Sequence, residues 1–342
     1  MAQGFTRFRK IQVGKQSVIG TAVPATRVLP YRSAVVLNPN RTEPDIDVGS
    51  LDPVMAPYAT AQEVTMSGAA GPLTFNDLAI RLSAGGKGGV SPTGSAAAGY
   101  TWTFQLASLT ADTFDYYTAE TGDDTSDSGG AGIIGFGGVI DSFSQTMPED
   151  LGPWTVSDDW VFAGATFGNR TAALSVDSSP AFAFGADTAF YLNTTAGSIG
   201  ATQLVDAVRG AQLTINNNLD RKRYANGSNT RFQLGAYGRG ARQIELTLTV
   251  EKTTATIAEA ITLDDTPVPN RYIKVATNST ENAGSGGTKY KAEYFMPARL
   301  VSVTEGEIGG NTNYTFTYHA FYDTTLTYAF KAVVINSLSA LP

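Results

Sequence analysis

Alternating apolar and polar residues mark most of this chain as β-strand. In RQIELTLTV (242–250) every second residue is apolar, which is the pattern of a strand with one buried face. Runs of a similar kind are QEVTMSG (62–68), YTWTFQLASL (100–109), NRYIKVATNS (270–279), AFAFGADTAFYL (181–192) and TLTYAFKAVVINSL (325–338). Segments 137–165 and 297–323 each alternate around a turn and predict hairpins. The pattern therefore predicts a mainly β protein.

Two short stretches have helical spacing instead. LTFNDLAIRL (73–82) places apolar residues three and four apart, and Thr74 followed by Asp77 resembles a capping box. TTATIAEAITL (253–263) begins with threonines that can cap a second helix. The apolar face of this second helix holds Ile257, Ala260 and Ile261. Both predicted helices are so short that packing must hold them in place.

These elements occur in the same order twice. ATRVLPYRSAVVLNPN (25–40) and ATQLVDAVRGAQLTINNN (201–218) share an Ala-Thr pair, an arginine and two asparagines. A long loop, a strand, a helix, a strand, a Gly/Ser-rich loop and a hairpin follow each phrase. This alignment equates 100–109 with 270–279 and sets the hairpin pair Gly138 and Thr155 over Ala298 and Thr315.

We interpret the repeat as two tandem β-sandwich domains, each with one short flanking α-helix and a long loop. The expected segments are a basic N-terminal arm (1–20), a first domain (21–165), a linker with a strand (166–199), a second domain (200–324) and a C-terminal strand or arm (325–342). The arm is expected to become ordered only on assembly.

Charge is distributed unevenly along the chain. Residues 1–42 carry seven Lys and Arg and no acid, whereas residues 43–159 carry 17 Asp and Glu against two basic residues. Such segregation indicates either a partner of opposite charge or pairing of the two segments within one fold. Only 16% of residues are charged, and this low fraction suits a surface that is covered by other copies of the chain.

Candidate chemistry is sparse. The chain has no Cys, so disulfides and thiolate metal sites are excluded. GAGIIG (130–135) lacks the strand before it and the helix after it that a dinucleotide site needs. DDTSDSGG (123–130) lacks the glycine position and the glutamate of a calcium loop. The only histidine, His319, lies at a polar position of a strand. We therefore expect no enzyme activity, cofactor or metal, and no apolar stretch of about 18 residues suggests a membrane anchor.

The opening VGKQSVIGTAVPATRVLPYR (13–32) resembles the N-terminus of siphophage major tail proteins, the tail tube proteins. The Asn-rich strand end before a long loop, the single helix of each copy and the closing hairpin with its Trp-containing strand are also similar to that family. The resemblance implies two packed sheets with a flanking helix in each copy. It also implies that the inner sheets of neighbouring subunits join into one barrel around a lumen.

This resemblance further implies a structural virion protein, made in the host bacterial cytoplasm, whose rings stack into a long non-contractile tail that conducts DNA. The implied partners are other copies of the chain, the tape-measure protein and the genome in the lumen, and tail terminator and distal tail or baseplate proteins at the ends. Two domains in each chain predict a ring of three chains with pseudo-sixfold symmetry. The family implies no catalytic residue.

The two long loops carry opposite charge, since 38–58 is acidic and 216–242 is basic. We expect these loops and the basic arm to contact neighbouring subunits or rings, although both loops could also be simply solvated. The expected contact residues are Arg7, Arg9, Lys10, Glu43, Asp45, Asp47, Asp52, Arg221, Lys222, Arg223, Arg231, Arg239 and Arg242.

A different class of function stays open at this point. A tandem β-sandwich adhesion or carbohydrate-binding module would be a monomer with an exposed aromatic platform. Its candidate residues are Trp102, Trp154 and Trp160, and the alternative is that these side chains lie in the core.

Overall fold

The computed structural model describes residues 9–30, 33–42, 58–106, 109–110, 112–123, 130–224 and 233–342. Strands hold 55% of the residues and helices 9%, so the predicted mainly β, sandwich-like fold is confirmed. The strands are Lys10–Gln16 (β1), Arg27–Leu29 (β2), Val36–Thr42 (β3), Tyr58–Pro72 (β4), Thr93–Ser95 (β5), Gly99–Gln105 (β6), Tyr116–Gly122 (β7), Gly132–Met147 (β8), Thr155–Phe162 (β9), Gly164–Gly168 (β10), Thr188–Asn193 (β11), Val208–Asn216 (β12), Leu219–Lys222 (β13), Ala236–Arg239 (β14), Gln243–Glu251 (β15), Asn270–Asn282 (β16), Lys289–Ile308 (β17), Asn311–Ala320 (β18) and Lys331–Asn336 (β19). The helices are Phe75–Gly85 (α1) and Thr254–Ile261 (α2).

The same antiparallel strand order occurs twice. In the first half of the chain, which carries β1 to β10, neighbouring strands follow the order β2–β1–β7–β8–β9–β4–β3. In the second half, which carries β11 to β19, the order is β11–β16–β17–β18–β15–β12. A bridge between Gln203 and Tyr191 takes the place of the β1–β2 pairing.

Register details repeat as well. The hairpin β8–β9 has a β-bulge between Ile140 and Ser142, and the hairpin β17–β18 has one between Leu300 and Ser302. A row of paired residues next to each bulge runs Val36, Thr65, Val161, Val139 in the first half and Thr214, Glu245, His319, Arg299 in the second. These rows fix which residues of the two halves correspond to each other.

The repeated Ala-Thr phrase follows the first strand of each half and is hydrogen-bonded to it. The Thr26 N–H donates to the Val13 carbonyl at 2.9 Å, and the Leu192 N–H donates to the Thr202 carbonyl at 3.0 Å. Both threonines thus tie their phrase to the first strand of their half, β1 or β11. The sequence repeat reflects a repeat of backbone pairing.

Two features of the sequence alignment are wrong. β7, and not the strand at 99–105, occupies the place of β16, because β7 lies between β1 and β8 as β16 lies between β11 and β17. β5 and β6 form an additional hairpin, and β6 pairs with β19 of the second half. The Gly138–Ala298 match holds in the first hairpin strand, but a longer first turn shifts the second strand, so Thr155 does not correspond to Thr315.

The expectation of an N-terminal arm is wrong for residues 10–16. These residues form β1, which pairs with β2 on one side and β7 on the other. Ile11 and Val13 are fully buried, so β1 is a core strand of the first half. The basic composition hid an alternation that begins at Ile11. Residues 1–8 lie outside the described residues.

Charges of the basic and acidic segments pair inside the fold. The Lys15 ammonium lies 2.8 Å from the Asp115 carboxylate, and Arg27 lies 2.9 Å from Asp77. The sequence left two explanations of the segregated charge open, a partner of opposite charge or pairing within one fold. These two contacts support pairing within one fold.

Both predicted helices form, but in different surroundings. Thr74 caps α1 by accepting from the Asp77 N–H, and Thr253 caps α2 together with Thr256. Every residue of α1 is buried, whereas α2 buries only Thr256 and Glu259. α1 packs against β6 and β8 and also against β17 and β19 of the second half. One apolar core is therefore shared by the two halves.

Candidate assembly interface

The two halves meet edge to edge along a seam, in which β12 pairs antiparallel with residues 142–147 of β8. Ile215 lies opposite Phe143, and these side chains are 0% and 1% exposed. On the other face of the sheet, the hydroxyls of Thr214 and Ser144 lie 3.3 Å apart. The core thus continues across the seam without a gap.

The seam joins four strands of each half into one antiparallel sheet. We call β3–β4–β9–β8–β12–β15–β18–β17 the eight-strand row. Among the described residues, β3 has a strand only on its β4 side, and β17 beyond Leu300 has one only on its β18 side. Unpaired edges of this kind invite pairing with another chain.

Residues on the open β17 edge are exposed where their counterparts in the seam are buried. Phe143 and Met147 of β8 are buried, whereas most residues from Val301 to Glu307 are exposed. Val301 itself is 43% exposed. Leu37 of β3 and Val303 of β17 are the counterparts of Ile215 and Phe143, and both are only partly buried against the core.

The helices show the same contrast. Counting from their threonine caps, Leu78 and Leu82 of α1 correspond to Ile257 and Ile261 of α2. The two leucines are 0% exposed, whereas Ile257 is 38% and Ile261 is 63% exposed. The second half covers α1, and nothing in the described part of the chain covers the isoleucines of α2 in the same way.

A complementary apolar residue is exposed on the first half. β8 has one extra residue, a bulge opposite β7, which β17 lacks opposite β16, so Ile133 corresponds to Tyr294. Phe167 of β10 pairs with Ile133, as Ala332 of β19 pairs with Tyr294. Ala332 is fully buried in the strand that packs against α1, whereas Phe167 is 67% exposed. The first half therefore exposes a large apolar side chain at the position where the second half is covered.

The basic loop of the second half packs on the first half of its own chain. Its hairpin β13–β14 is held by Tyr237, whose hydroxyl donates to the Gly137 carbonyl at 2.7 Å. The Arg239 guanidinium lies 3.6 Å from the centre of the Phe114 ring. Burial, together with repulsion from Arg242, lowers the pKa of Arg239 to about 10. The hairpin is thus a packed part of the subunit.

The predicted contact residues are distributed as follows. Arg242 lies 3.6 Å from Asp112, and Arg223 donates to the Gln62 carbonyl at 3.1 Å, so both contact the first half of the same chain. Arg221 and Lys222 lie on β13, and the Lys222 side chain is exposed. Contact of these residues with another ring stays a prediction.

The remaining predicted residues are only partly described. Arg9 is exposed before β1, and the Lys10 ammonium donates to the Leu174 carbonyl at 2.8 Å. Arg7, Glu43, Asp45, Asp47, Asp52 and Arg231 lie outside the described residues. Contact of the acidic loop and the basic residues with neighbouring subunits stays a prediction.

The tryptophans that an adhesion module would expose are buried in this structure. Trp102, Trp154 and Trp160 are 1 to 2% exposed, so the aromatic platform of an adhesion module is absent at these positions. His319 contacts Glu245 at 3.0 Å on the polar face of the sheet. No group of three His, Cys, Asp or Glu that could hold a metal occurs in the described ranges. No described helix is long and apolar enough to cross a membrane.

Comparisons with known proteins give no independent identification. No protein-family model matches the chain, and no curated protein is detectably similar to it in sequence. A proposal of function therefore rests on the candidate interface and on the resemblance in the sequence.

Proposed function

We propose that this chain is the subunit of a self-assembling tube, the tail tube of a long non-contractile bacteriophage tail through which DNA is ejected. The main support for this proposal is the seam, where β12 of the second half pairs with the β8 edge of the first half. The outer ends of the same row, β3 and the part of β17 beyond Leu300, are the counterparts of β12 and β8. Among the described residues neither pairs with a strand on its outer side. A chain built in this way can add further copies of itself by the same contact.

The even number of strands in the row allows copies of the chain to close into a ring. The eight-strand row is antiparallel throughout and contains an even number of strands, so β17 of one chain runs antiparallel to β3 of the next. Closing the ring leaves neither end of the eight-strand row exposed, which removes the liability of these two open edges. In this proposal the ring contains three chains, because two halves in each chain give six halves and a pseudo-sixfold shape. With eight strands of the row in each chain, such a ring has 24 strands.

The face of the eight-strand row that points away from the core would line the lumen. Its side chains alternate with the buried residues of β8, β12 and β15. Members of this face near the seam are Ser144, Thr146, Gln212, Thr214, Glu245 and Thr247. Near the seam this face carries hydroxyl, amide and carboxylate groups and no cation, so it would not hold DNA phosphates, which suits a conduit.

In this proposal the tape-measure protein and then the genome occupy the lumen, and tail terminator and distal tail or baseplate proteins close the ends. The subunit performs no chemistry, because its task is to polymerise and to leave a passage. Its location is the virion.

Negative-stain electron microscopy of concentrated purified protein tests this function. We expect rings or stacked tubes of uniform diameter. Isolated particles at every concentration would contradict the proposal and favour a monomeric binding module.

A further inference from the structure

We propose that a second copy of the chain docks on the β17 edge in the register of the internal seam, with Val36 of one chain opposite Thr304 of the next. The inference rests on the proposed function and specifies its contact. The same neighbour covers α2 with the surface around Phe167.

The register follows from the correspondence between the halves. The paired rows equate Val36 with Thr214, and the shared bulges equate Thr304 with Ser144. Thr214 lies opposite Ser144 in the seam. The next pair along the seam, Ile215 opposite Phe143, becomes Leu37 opposite Val303, and Asn216 opposite Ser142 becomes Asn38 opposite Ser302.

Backbone groups at the two edges fit this register over a short stretch. In the seam the Asn217 N–H donates to the Asp141 carbonyl at 2.8 Å, so odd-numbered residues of β12 direct their backbone toward β8. By correspondence, Leu37 and Val303 direct their N–H and C=O groups toward each other and form the central hydrogen-bonded pair.

The contact between chains ends where its residues differ from those of the seam. Pro39 takes the place of Asn217 and has no N–H to donate, as is usual for proline on an edge strand. At the other end the Val35 N–H donates to the Thr121 hydroxyl at 3.2 Å within its own chain. The backbone ladder is therefore short, and side-chain burial must contribute much of the contact.

Apolar side chains on the two surfaces supply that burial. The docking surface of the second half consists of Val301, Val303, Ile257 and Ile261, and that of the first half consists of Leu37 and Phe167. α1 packs against β19 inside the chain, so α2 packs against β10 of the neighbour, which carries Phe167. Both surfaces are present on every copy, so a second copy of this chain satisfies both of them.

Cysteine pairs test the register, because the chain has no cysteine of its own. Val36 and Thr304 form a non-hydrogen-bonded pair in this register, with Cα atoms about 4.5 Å apart. That separation falls in the range of about 4.4–6.8 Å seen in disulfides. Assembled protein carrying Val36→Cys and Thr304→Cys should give covalent dimers and trimers on non-reducing gels after mild oxidation.

Two matched pairs serve as controls. Thr214→Cys with Ser144→Cys places a disulfide across the observed seam and should cross-link within one chain. Asn38→Cys with Thr304→Cys lies on the same face but two residues out of register, and it should give several-fold less covalent multimer than the predicted pair.

The possible outcomes separate the register from the function. Rings or tubes that do not cross-link at positions 36 and 304, or that cross-link more strongly at 38 and 304, overturn the register and leave the proposed function standing. Protein that stays monomeric at high concentration overturns both.

The helix contact has its own test. Ile261→Glu and Phe167→Glu each change an exposed residue, so both variants should keep the parent circular dichroism spectrum and lose most of their assembly in sedimentation assays. Val176→Glu changes a valine that is 55% exposed and lies on neither docking surface, and it should assemble like the parent. Normal tubes from both α2 and β10 variants would overturn this contact.

Discussion

Ile215 of β12 lies directly opposite Phe143 of β8, and both side chains are fully buried at the seam between the two halves. Their counterparts Leu37 and Val303 lie at opposite ends of the eight-strand row and are only partly buried. If copies assemble as proposed, a single chain contains one completed contact and the two separate sides of another. This relationship connects the internal repeat to assembly.

Alanine substitutions at the seam should destabilise the monomer more than a substitution at the open β17 edge. Phe143→Ala should lower the free energy of unfolding by about 3–5 kcal/mol and Ile215→Ala by about 2–5 kcal/mol, since each leaves a cavity in the shared core. Val303→Ala at the open edge should cost less than about 1 kcal/mol in the monomer. Urea unfolding followed by fluorescence measures all three, and equal losses at Val303 and Phe143 would contradict the assignment of the open edge.

Glu120 should hold the start of the first half together. Its buried carboxylate accepts hydrogen bonds from the Ala25 N–H at 3.0 Å, the Thr171 N–H at 2.6 Å and the Gln12 amide at 3.3 Å. Glu120→Ala removes the acceptor of the Thr171 N–H and one of two acceptors of the Ala25 N–H and the Gln12 amide, so we expect a loss of about 1–3 kcal/mol. Glu281→Ala, at an exposed glutamate, should be neutral in the same thermal or urea unfolding assay.

Variants of the basic hairpin should show which of its residues stabilise the monomer and which contact another ring. Arg239→Ala removes the contact with Phe114 and should cost about 1–2 kcal/mol of monomer stability. Arg221→Glu combined with Lys222→Glu should change monomer stability by less than about 0.5 kcal/mol. If β13 contacts an acidic surface of the next ring, this double variant forms rings that stack poorly, and electron micrographs should show short stacks. Tubes of parental length in low salt would exclude β13 from ring stacking.

Alkaline pH should unfold the protein through its buried tyrosines. Burial raises the pKa of Tyr117 and Tyr294 above the ordinary value of 10. Their contribution to stability is complete below pH 10 and is lost as the pH rises above 10, because only the unfolded state releases the phenolic protons there. Tyrosinate absorbance should therefore rise together with loss of circular dichroism, and Tyr117→Phe should weaken the pH dependence. Full titration of the tyrosines in a folded protein would contradict this.

Local patterns in the sequence predicted most of the elements. The alternation in 242–250 predicted β15, and the threonines before 75 and 254 predicted both helix starts. The repeated Ala-Thr phrase predicted a repeat that the backbone pairing reproduces. These features are local, so the residues that cause them lie close together in the chain.

Long-range pairing could not be predicted in the same way. The basic residues of 1–20 concealed β1, whose burial depends on β2 and β7. Nothing local distinguishes β6 from β7 as the partner of β8, because strand choice depends on tertiary packing. The sequence predicts contacts with other copies at charged loop residues, whereas the contacts proposed from the structure involve exposed apolar residues such as Phe167 and Ile261. Finding them from sequence requires comparison of the two halves position by position, since Phe167 corresponds to a buried alanine.

Helical reconstruction of assembled protein by electron cryomicroscopy tests the central claim most directly. The account predicts three chains in each ring, pseudo-sixfold symmetry, and β3 of each chain paired with β17 of the next so that Val36 faces Thr304. Six chains in each ring, or rings in which β3 and β17 stay unpaired, would contradict it.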